Sequence, residues 1–253
     1  MQSQHDLNQK QYHDKSEAYL NSATHAQGVE FSKMQYVCRN YTQAQLLDLG
    51  CGGGHVSYQM ASAVESIIAY DLSVEMLQLV EAQAQQRGLH NIRTQVGVAE
   101  QLPFADHSFD IVISRYSAHH WQSLKKALSE VHRVLKPKGA AIFFDVLGSC
   151  DPMLDTFLQC IEMIRDPSHV RDYSLSEWLE WVEYYGFEID VVEKQSLALD
   201  FKAWVQRMKT PAMAVETIRE LQEKVSDHVR DYYQIQSDGS FTSPTMYLQM
   251  SKA

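Results

Sequence analysis

The stretch Leu46-Leu47-Asp48-Leu49-Gly50-Cys51-Gly52-Gly53-Gly54-His55 decides the fold of this chain. The apolar residues around Asp48 are typical of a buried strand. The spaced glycines Gly50, Gly52 and Gly54 are typical of a tight turn that leads into a helix, because glycine tolerates backbone angles closed to other residues. In an open α/β sheet, such a turn lets a ligand lie directly on the main chain. The stretch therefore predicts the first strand-turn-helix crossover of a nucleotide-cofactor fold.

The spacing of the glycines distinguishes two kinds of cofactor turn. A dinucleotide fingerprint places its last glycine three residues after the second one, and in this chain His55 stands there. Asp48, two residues before the first glycine, completes instead the pattern D-x-G-x-G-x-G. This pattern resembles motif I of the class I S-adenosylmethionine (SAM) methyltransferases. The resemblance implies that Asp48 and the three spaced glycines belong to a SAM site.

The composition excludes several classes of partner. A chain of 253 residues with 45% hydrophobic and 21% charged residues is typical of a soluble globular protein with one large α/β domain. The formal net charge of -10 disfavours nucleic acid, because binding a phosphate backbone needs a concentrated basic face. No segment approaches the length that crosses a bilayer, so we predict no membrane partner. The oligomeric state stays open.

The amino end and the cysteines bear on the compartment. Residues 1–15 are polar and carry no apolar signal core. The four cysteines show no C-x-x-C spacing, which disfavours both a disulfide scaffold and a zinc site. We therefore expect a cytoplasmic protein without a bound metal.

Apolar runs alternate with helical periodicity through the first part of the chain. This alternation predicts a Rossmann-like α/β fold, with a mostly parallel sheet of seven strands, helices on both faces and an α-helical cap. The first five predicted strands lie near residues 46–50, 67–71, 92–97, 110–114 and 140–146.

The pattern changes after Asp145, where residues 151–185 are typical of two helices rich in aromatic side chains. We expect Trp178 and Trp181 there to be core residues, and we expect one long amphipathic helix over 211–233. A single domain is predicted over 1–253. Its parts are an N-terminal helical cap, a SAM-binding core, a helical insertion and a C-terminal region, at residues 1–42, 43–150, 151–185 and 186–253.

Asp71 ends the second predicted strand. Residues that end consecutive parallel strands converge on a ligand at the carboxyl edge of the sheet. A carboxylate there accepts two hydrogen bonds from neighbouring ribose hydroxyls. Asp71 could also cap the helix that starts near Leu72, and the two roles are compatible.

The segment 97–104, Gly-Val-Ala-Glu-Gln-Leu-Pro-Phe, resembles the G-D-A-E-x-L-P-F motif of UbiE-like methyltransferases. Val98 stands where the family has its adenine-binding acidic residue. The resemblance implies that the Ala99 amide meets the adenine ring between apolar walls from Leu72 and Met76. Glu100 is then the first candidate to replace the missing acid. Segment 109–115 resembles the family's fourth strand, and segment 133–139 resembles its R-V-L-K-P-x-G turn. Arg115, which ends the first of these segments, is a further candidate cofactor-binding residue.

The resemblance extends over nearly the whole chain to the YafE-type branch of this family, through residues 25–28, 117–121, 165–171 and 201–208. It implies SAM as cofactor and S-adenosylhomocysteine (SAH) as product, and it leaves the acceptor open. The acidic charge favours a small-molecule acceptor over a nucleic acid. Two alternatives stay open, a SAM-binding enzyme that transfers another group and a catalytically silent SAM-binding partner subunit.

Methyl transfer needs reactants held in line, exclusion of water and, for some acceptors, one base. His119 and His120 follow the fourth predicted strand, and a histidine pKa suits a base near neutral pH. Alternatively, both histidines pack beside Trp121. Residues 1–30 and 150–185 are candidate lids, with candidate substrate-binding residues Tyr19, His25, His169 and Arg171. His169 and Arg171 could equally form a solvated helix end.

Overall fold

The computed structural model describes residues 3–12, 28–41 and 43–253. Seven strands form one sheet in the order β3-β2-β1-β4-β5-β7-β6. Strands β1 to β5 are parallel, and β7 runs antiparallel to both β5 and β6. The predicted Rossmann-like fold class is confirmed. The strands are β1 Gln45–Leu49, β2 Ser66–Asp71, β3 Ile92–Val96, β4 Phe109–Arg115, β5 Leu135–Val146, β6 Phe187–Leu199 and β7 Phe241–Lys252.

Helices cover both faces of this sheet. Successive side chains of a strand point to opposite faces, so each central strand contributes to two cores. On one face the sheet packs against α5 and α7, and on the other against α2 and α3. The helices are α1 Gln4–Tyr12, α2 Glu30–Cys38, α3 His55–Met60, α4 Val74–Gln86, α5 Leu124–Val134, α6 Pro152–Arg165, α7 Leu175–Tyr184, α8 Phe201–Arg207, α9 Ala212–Lys224 and α10 Asp227–Tyr232.

The two helices predicted within 151–185 are α6 and α7. Trp178 on α7 is fully buried in the core, and Trp181 packs against the same core while half-buried. Both tryptophans therefore have the predicted packing role. The division of the chain into cap, core, insertion and C-terminal region stays a prediction.

The prediction of one helix over 211–233 was wrong. Helix α9 ends at Lys224, the backbone is extended at Val225, and the Ser226 hydroxyl accepts a hydrogen bond from Val229 N to start α10. Ile218 of α9 and Val229 of α10 still bury against the same core. The apolar spacing therefore runs on across the break, and the spacing alone could not reveal it.

Within the described residues, no helix combines the length and the apolar character that crossing a bilayer needs.

Candidate active site

A first cavity lies at the carboxyl ends of β1, β2 and β4, with about 980 Å³ of empty space, part of it open to solvent. The predicted cofactor residues that line it are Asp48, Gly50, Gly52, Asp71, Leu72, Met76, Ala99, Glu100 and Arg115. Gly54 is not among the lining residues. It stands in the left-handed region before α3, where a Cβ would lie 2.7 Å from the Tyr58 ring.

The glycine turn leaves an open space over its main chain. Gly52 has a φ of +47°, and an added Cβ there would meet nothing within 4 Å. At Gly50, by contrast, a Cβ would lie 1.8 Å from Ser117 Oγ. Gly50 therefore permits close packing of the turn against the loop after β4, whereas Gly52 keeps the cavity floor clear.

Asp71 holds this turn at one edge. Its Oδ2 accepts a hydrogen bond from Gly52 N at 2.8 Å, and its Oδ1 accepts one from Ser73 N at 2.9 Å. Burial raises the pKa of Asp71, and these backbone bonds oppose that shift. The residue that caps α4 is Ser73, whose hydroxyl accepts from Met76 N. Asp71 therefore does not cap α4, and it lines the first cavity at the end of β2.

Asp48 lies beneath the turn and is only 1% exposed. Its Oδ2 accepts hydrogen bonds from Ser57 N at 3.0 Å and Ser57 Oγ at 2.6 Å, which anchors α3. Its Oδ1 makes no hydrogen bond to the described residues. Burial raises the pKa of Asp48 to about 7. A buried carboxyl oxygen without a partner fits a site that a polar ligand completes.

The wall after β3 carries the segment expected to meet adenine. Ala99 is buried there, and the Val98 carbonyl accepts a hydrogen bond from the Tyr70 hydroxyl at 3.1 Å. Glu100 is engaged by other groups, because its Oε1 accepts from Ser123 N at 3.0 Å and its Oε2 lies 3.5 Å from His5 Nε2. The side chain of Glu100 thus joins α1 to the start of α5.

Arg115 ends β4 and lines the cavity, but its charge is balanced within the protein. Its Nη2 lies 2.6 Å from Glu30 Oε1, and both side chains are almost fully buried. The guanidinium also stacks over Phe31 and Tyr116 at 4.6 and 4.7 Å from the ring centroids. Glu30 was missed by sequence reasoning, since nothing in its segment points to a buried ion pair.

His119 and His120 form a short helical turn beside this cavity, and the structure gives them different partners. His119 Nδ1 lies 2.6 Å from Asp145 Oδ1 at the end of β5. Burial lowers the pKa of His119, but the Asp145 carboxylate outweighs burial and raises the pKa to about 9. Asp145 is held in turn by the backbone N–H groups of Ser117 and Ala118, at 3.1 and 2.8 Å.

His120 contacts the N-terminal helix. Its Nε2 lies 2.7 Å from the Tyr12 hydroxyl, which donates a hydrogen bond to Asp166 Oδ2 at 3.2 Å. Burial and the neighbouring His119 lower the pKa of His120 to about 4. His120 is therefore neutral at pH 7, whereas His119 is protonated on both ring nitrogens and positively charged. Among the described residues, no three His, Cys, Asp or Glu side chains are arranged to hold a metal ion.

A second cavity, with about 520 Å³ of empty space, adjoins the first. The two share Tyr12, Tyr116 and His120, so these residues mark the junction between them. The other residues that line the second cavity are His119, Val146, Glu162, Arg165, Asp172, Leu197, Leu199, Trp204 and Arg207.

Two of the four predicted substrate-binding residues, His169 and Arg171, line neither cavity. Tyr19 and His25 lie outside the described residues. His169 is buried behind the other histidines, where its Nε2 lies 2.9 Å from Gln159 Oε1. Arg171 lines neither cavity and lies 3.2 Å from Asp155 and 3.5 Å from Glu177, so its predicted substrate-binding role stays a prediction.

Comparison with known proteins agrees with this geometry. Residues 47–143 match the family model described as a methyltransferase domain. The Escherichia coli (strain K12) protein YafE is 45% identical over 204 residues, which cover 81% of this chain and 99% of YafE. The chain belongs to the class I SAM-dependent methyltransferases. Within that family it is placed in the YafE-type branch.

Solved structures of this methyltransferase family share the architecture. The structure of YcgJ from Bacillus subtilis superposes with a TM-score of 0.84 at 34% identity, covering 88% of this chain and 97% of YcgJ. A structure from Bacillus halodurans C-125 gives a TM-score of 0.85 at 28% identity, covering 89% of this chain and 99% of that one. The seven-stranded sheet and its helices are thus those of the family.

Replacing Val98 with Asp tests the expectation that the Ala99 amide and apolar walls, rather than an acidic residue, contact adenine. We expect SAM to bind equally or more tightly in Val98→Asp, because the new carboxylate can accept the adenine amino group. A carboxylate buried without a partner would instead cost binding energy. Isothermal calorimetry measures the affinity, with Val96→Asp on the exposed end of β3 as a control. Strong rejection by the wild type of an analogue with an inosine base would contradict recognition by Ala99 and apolar walls alone.

Proposed function

We propose that this protein transfers a methyl group from SAM to a small organic acceptor, with SAM in the first cavity and the acceptor in the second. The observation that carries this proposal is the junction of the two cavities at Tyr12, Tyr116 and His120, with His119 on the acceptor side. An in-line transfer needs two binding spaces that meet at one point. The net charge of -10 supports a small molecule rather than a nucleic acid as acceptor.

The residues of the first cavity fit the cofactor. Gly52 leaves open space over the turn, Asp71 stands where ribose hydroxyls would donate, and Asp48 offers an unpaired carboxyl oxygen. SAM supplies there a methyl carbon bonded to a positively charged sulfur, and SAH remains after its transfer. We place SAM on these residues because a donor of the ligand would satisfy Asp48 Oδ1, a buried acceptor that the protein leaves open.

The residues at the junction exclude water and handle a proton. Helix α1 covers the opening, since Gln9 Nε2 donates to the Leu72 carbonyl at 3.1 Å and Gln4 Nε2 donates to the Ser168 carbonyl at 2.9 Å. Asp145 fixes His119 Nδ1, so that Nε2 of the deprotonated form of His119 is free to take the proton of the acceptor. A carboxylate that orients a histidine in this way both selects its tautomer and stabilises its protonated form.

The four cysteines are all free thiols, and we propose a cytoplasmic location because a reducing compartment keeps thiols in this state.

The proposed function is tested with SAM labelled on its methyl group and a low-molecular-mass bacterial extract as the acceptor pool. The expected result is a labelled product whose mass exceeds that of its precursor by one methylene unit. A larger mass increment would show transfer of another group. Labelling of tRNA or protein in preference to any metabolite would contradict the small-molecule acceptor.

Replacing Asp71 with Ala tests SAM binding. Loss of an acceptor for ribose hydroxyls is expected to weaken SAM and SAH binding by about 1.5–3 kcal/mol, the range for hydrogen bonds to charged groups. Calorimetry measures the affinity. Glu81→Ala on the exposed face of α4 removes a carboxyl outside both cavities and serves as the control. An unchanged affinity in Asp71→Ala would place the ribose elsewhere.

The pH dependence of the reaction tests His119 as a base. Only the deprotonated form of His119 can accept a proton. Because the pKa of His119 is raised to about 9, this form predominates only above that pH. The value of kcat/KM for the isolated acceptor should therefore rise with pH and level off near pH 9. Asp145→Asn removes the carboxylate that raises the pKa, so its rising limb should move to lower pH. A profile that is flat between about pH 6 and pH 9 would contradict this role.

A further inference from the structure

Asp172 is a buried carboxyl group in the wall of the second cavity that the proposed chemistry does not use. It is only 1% exposed, and its Oδ2 makes no hydrogen bond to the described residues. An unpaired buried carboxyl oxygen is destabilising, because the lost hydrogen bonds to water are not replaced. Such a group in a cavity wall points to a partner supplied by a ligand.

The backbone around Asp172 is held in place. Gln159 on α6 accepts a hydrogen bond from Asp172 N at 3.1 Å and donates one to the Asp172 carbonyl at 2.7 Å. His169 Nε2 lies 3.9 Å from Asp172 Oδ2 and only 2.9 Å from Gln159 Oε1. Because that ring nitrogen is engaged by Gln159, the His169 ring does not satisfy the Asp172 carboxyl group. The backbone of Asp172 is therefore fixed, while its Oδ2 keeps no hydrogen-bond partner among the described residues.

Burial favours the neutral form of Asp172, and the charges around the cavity act on it in both directions. Burial raises the pKa of Asp172 well above its usual value, and Glu162 and Asp145 raise it further, although His119 opposes them. Glu162 forms an ion pair with Arg165 at 3.1 Å. Asp145 pairs with His119, and Arg207 lines the same cavity.

We propose that Asp172 recognises the methyl acceptor by donating a hydrogen bond from its neutral carboxyl group, and that the acceptor is an uncharged organic molecule with an oxygen or nitrogen that accepts this bond. Val146, Leu197 and Leu199 provide an apolar wall for its carbon skeleton. The proposal rests on the proposed methyl transfer and adds the class of acceptor.

The first experiment divides a low-molecular-mass bacterial extract on ion exchangers into cationic, anionic and uncharged pools. Each pool is incubated with the wild-type protein and methyl-labelled SAM. We expect the labelled product to arise from the uncharged pool. A product from the cationic pool would overturn the proposal in favour of an ion pair with Asp172, and one from the anionic pool would overturn it in favour of binding at Arg207. No product from any pool, with SAM binding intact, would contradict the proposed methyl transfer itself.

Substitutions of Asp172 test the hydrogen bond with the acceptor isolated from that pool. Asp172→Asn keeps a neutral donor of the same shape, so its KM should rise less than about threefold. Asp172→Leu removes the donor, so its KM should rise at least about tenfold, with a smaller effect on kcat. Equal losses in both variants would show that a charged carboxylate is needed, and equal KM values in wild type and both variants would show that Asp172 does not touch the acceptor. Either result overturns the proposal.

Two controls make these results independent of misfolding and of the acceptor. SAM affinity and circular dichroism are measured for each variant, and Glu180→Gln removes an exposed carboxyl on α7 that lines neither cavity. Carbon-13 NMR of labelled aspartate, assigned by its loss in Asp172→Asn, reports the protonation state directly. We expect the Asp172 carboxyl to remain protonated at a pH where the exposed aspartates of the protein are already ionised, and an ionised carboxyl there would overturn the proposal.

Discussion

His119→Ala is expected to slow methyl transfer by about 10²–10⁴-fold, the usual contribution of a general base. Asp145 holds the imidazole through Nδ1 at 2.6 Å, and His119 lines the second cavity but not the first. SAM affinity should therefore stay unchanged while kcat falls. Single-turnover rates with the isolated acceptor and calorimetry with SAM separate the two effects.

Substitutions of two other histidines serve as comparisons for His119→Ala. His90 is exposed after α4, so His90→Ala should leave the rate unchanged. His120→Ala removes the contact with Tyr12, and its effect reports the N-terminal helix rather than the base. Normal turnover by His119→Ala would show that the histidine is structural. An acceptor that needs no base, such as a neutral amine or a thiolate, would then be the better hypothesis.

Gly52→Val is expected to abolish SAM binding while the protein remains folded. A Cβ added at Gly52 would meet nothing within 4 Å beyond the adjoining residues, so the new side chain would extend over the cavity floor. A β-branched residue also resists the φ of +47°. Calorimetry should detect no binding, and the circular dichroism spectrum should be retained.

Gly88→Val is a matched control for this substitution. Gly88 has a φ of +68° and, like Gly52, open space where a Cβ would be added. It lies after α4 and lines neither cavity. Backbone strain alone should therefore leave SAM binding intact in Gly88→Val. Persistent affinity in Gly52→Val would show that the cofactor does not lie on this turn.

The sequence by itself determined the fold class and the floor of the first cavity. Apolar runs alternating with helical periodicity predicted the sheet. The positions of Asp48, the glycines and Asp71 predicted one side of a cavity at the ends of the strands. These features are local, because a turn and the residue that ends a strand depend on a few neighbouring positions. Because the carboxyl ends of parallel strands lie at the same edge of the sheet, the residues that end these strands come together without further information from the sequence.

Only the tertiary structure decided the chemistry at the junction of the cavities. His119 and His120 are adjacent and chemically identical in the sequence, yet Asp145 raises the pKa of one and burial lowers that of the other. Tyr12 contacts His120 although 108 positions of chain separate them. The loop that carries Asp172 is held by Gln159 of α6, and Asp172 Oδ2 has no hydrogen-bond partner among the described residues. Burial and charge pairing arise between segments distant in the chain, so no local pattern records them.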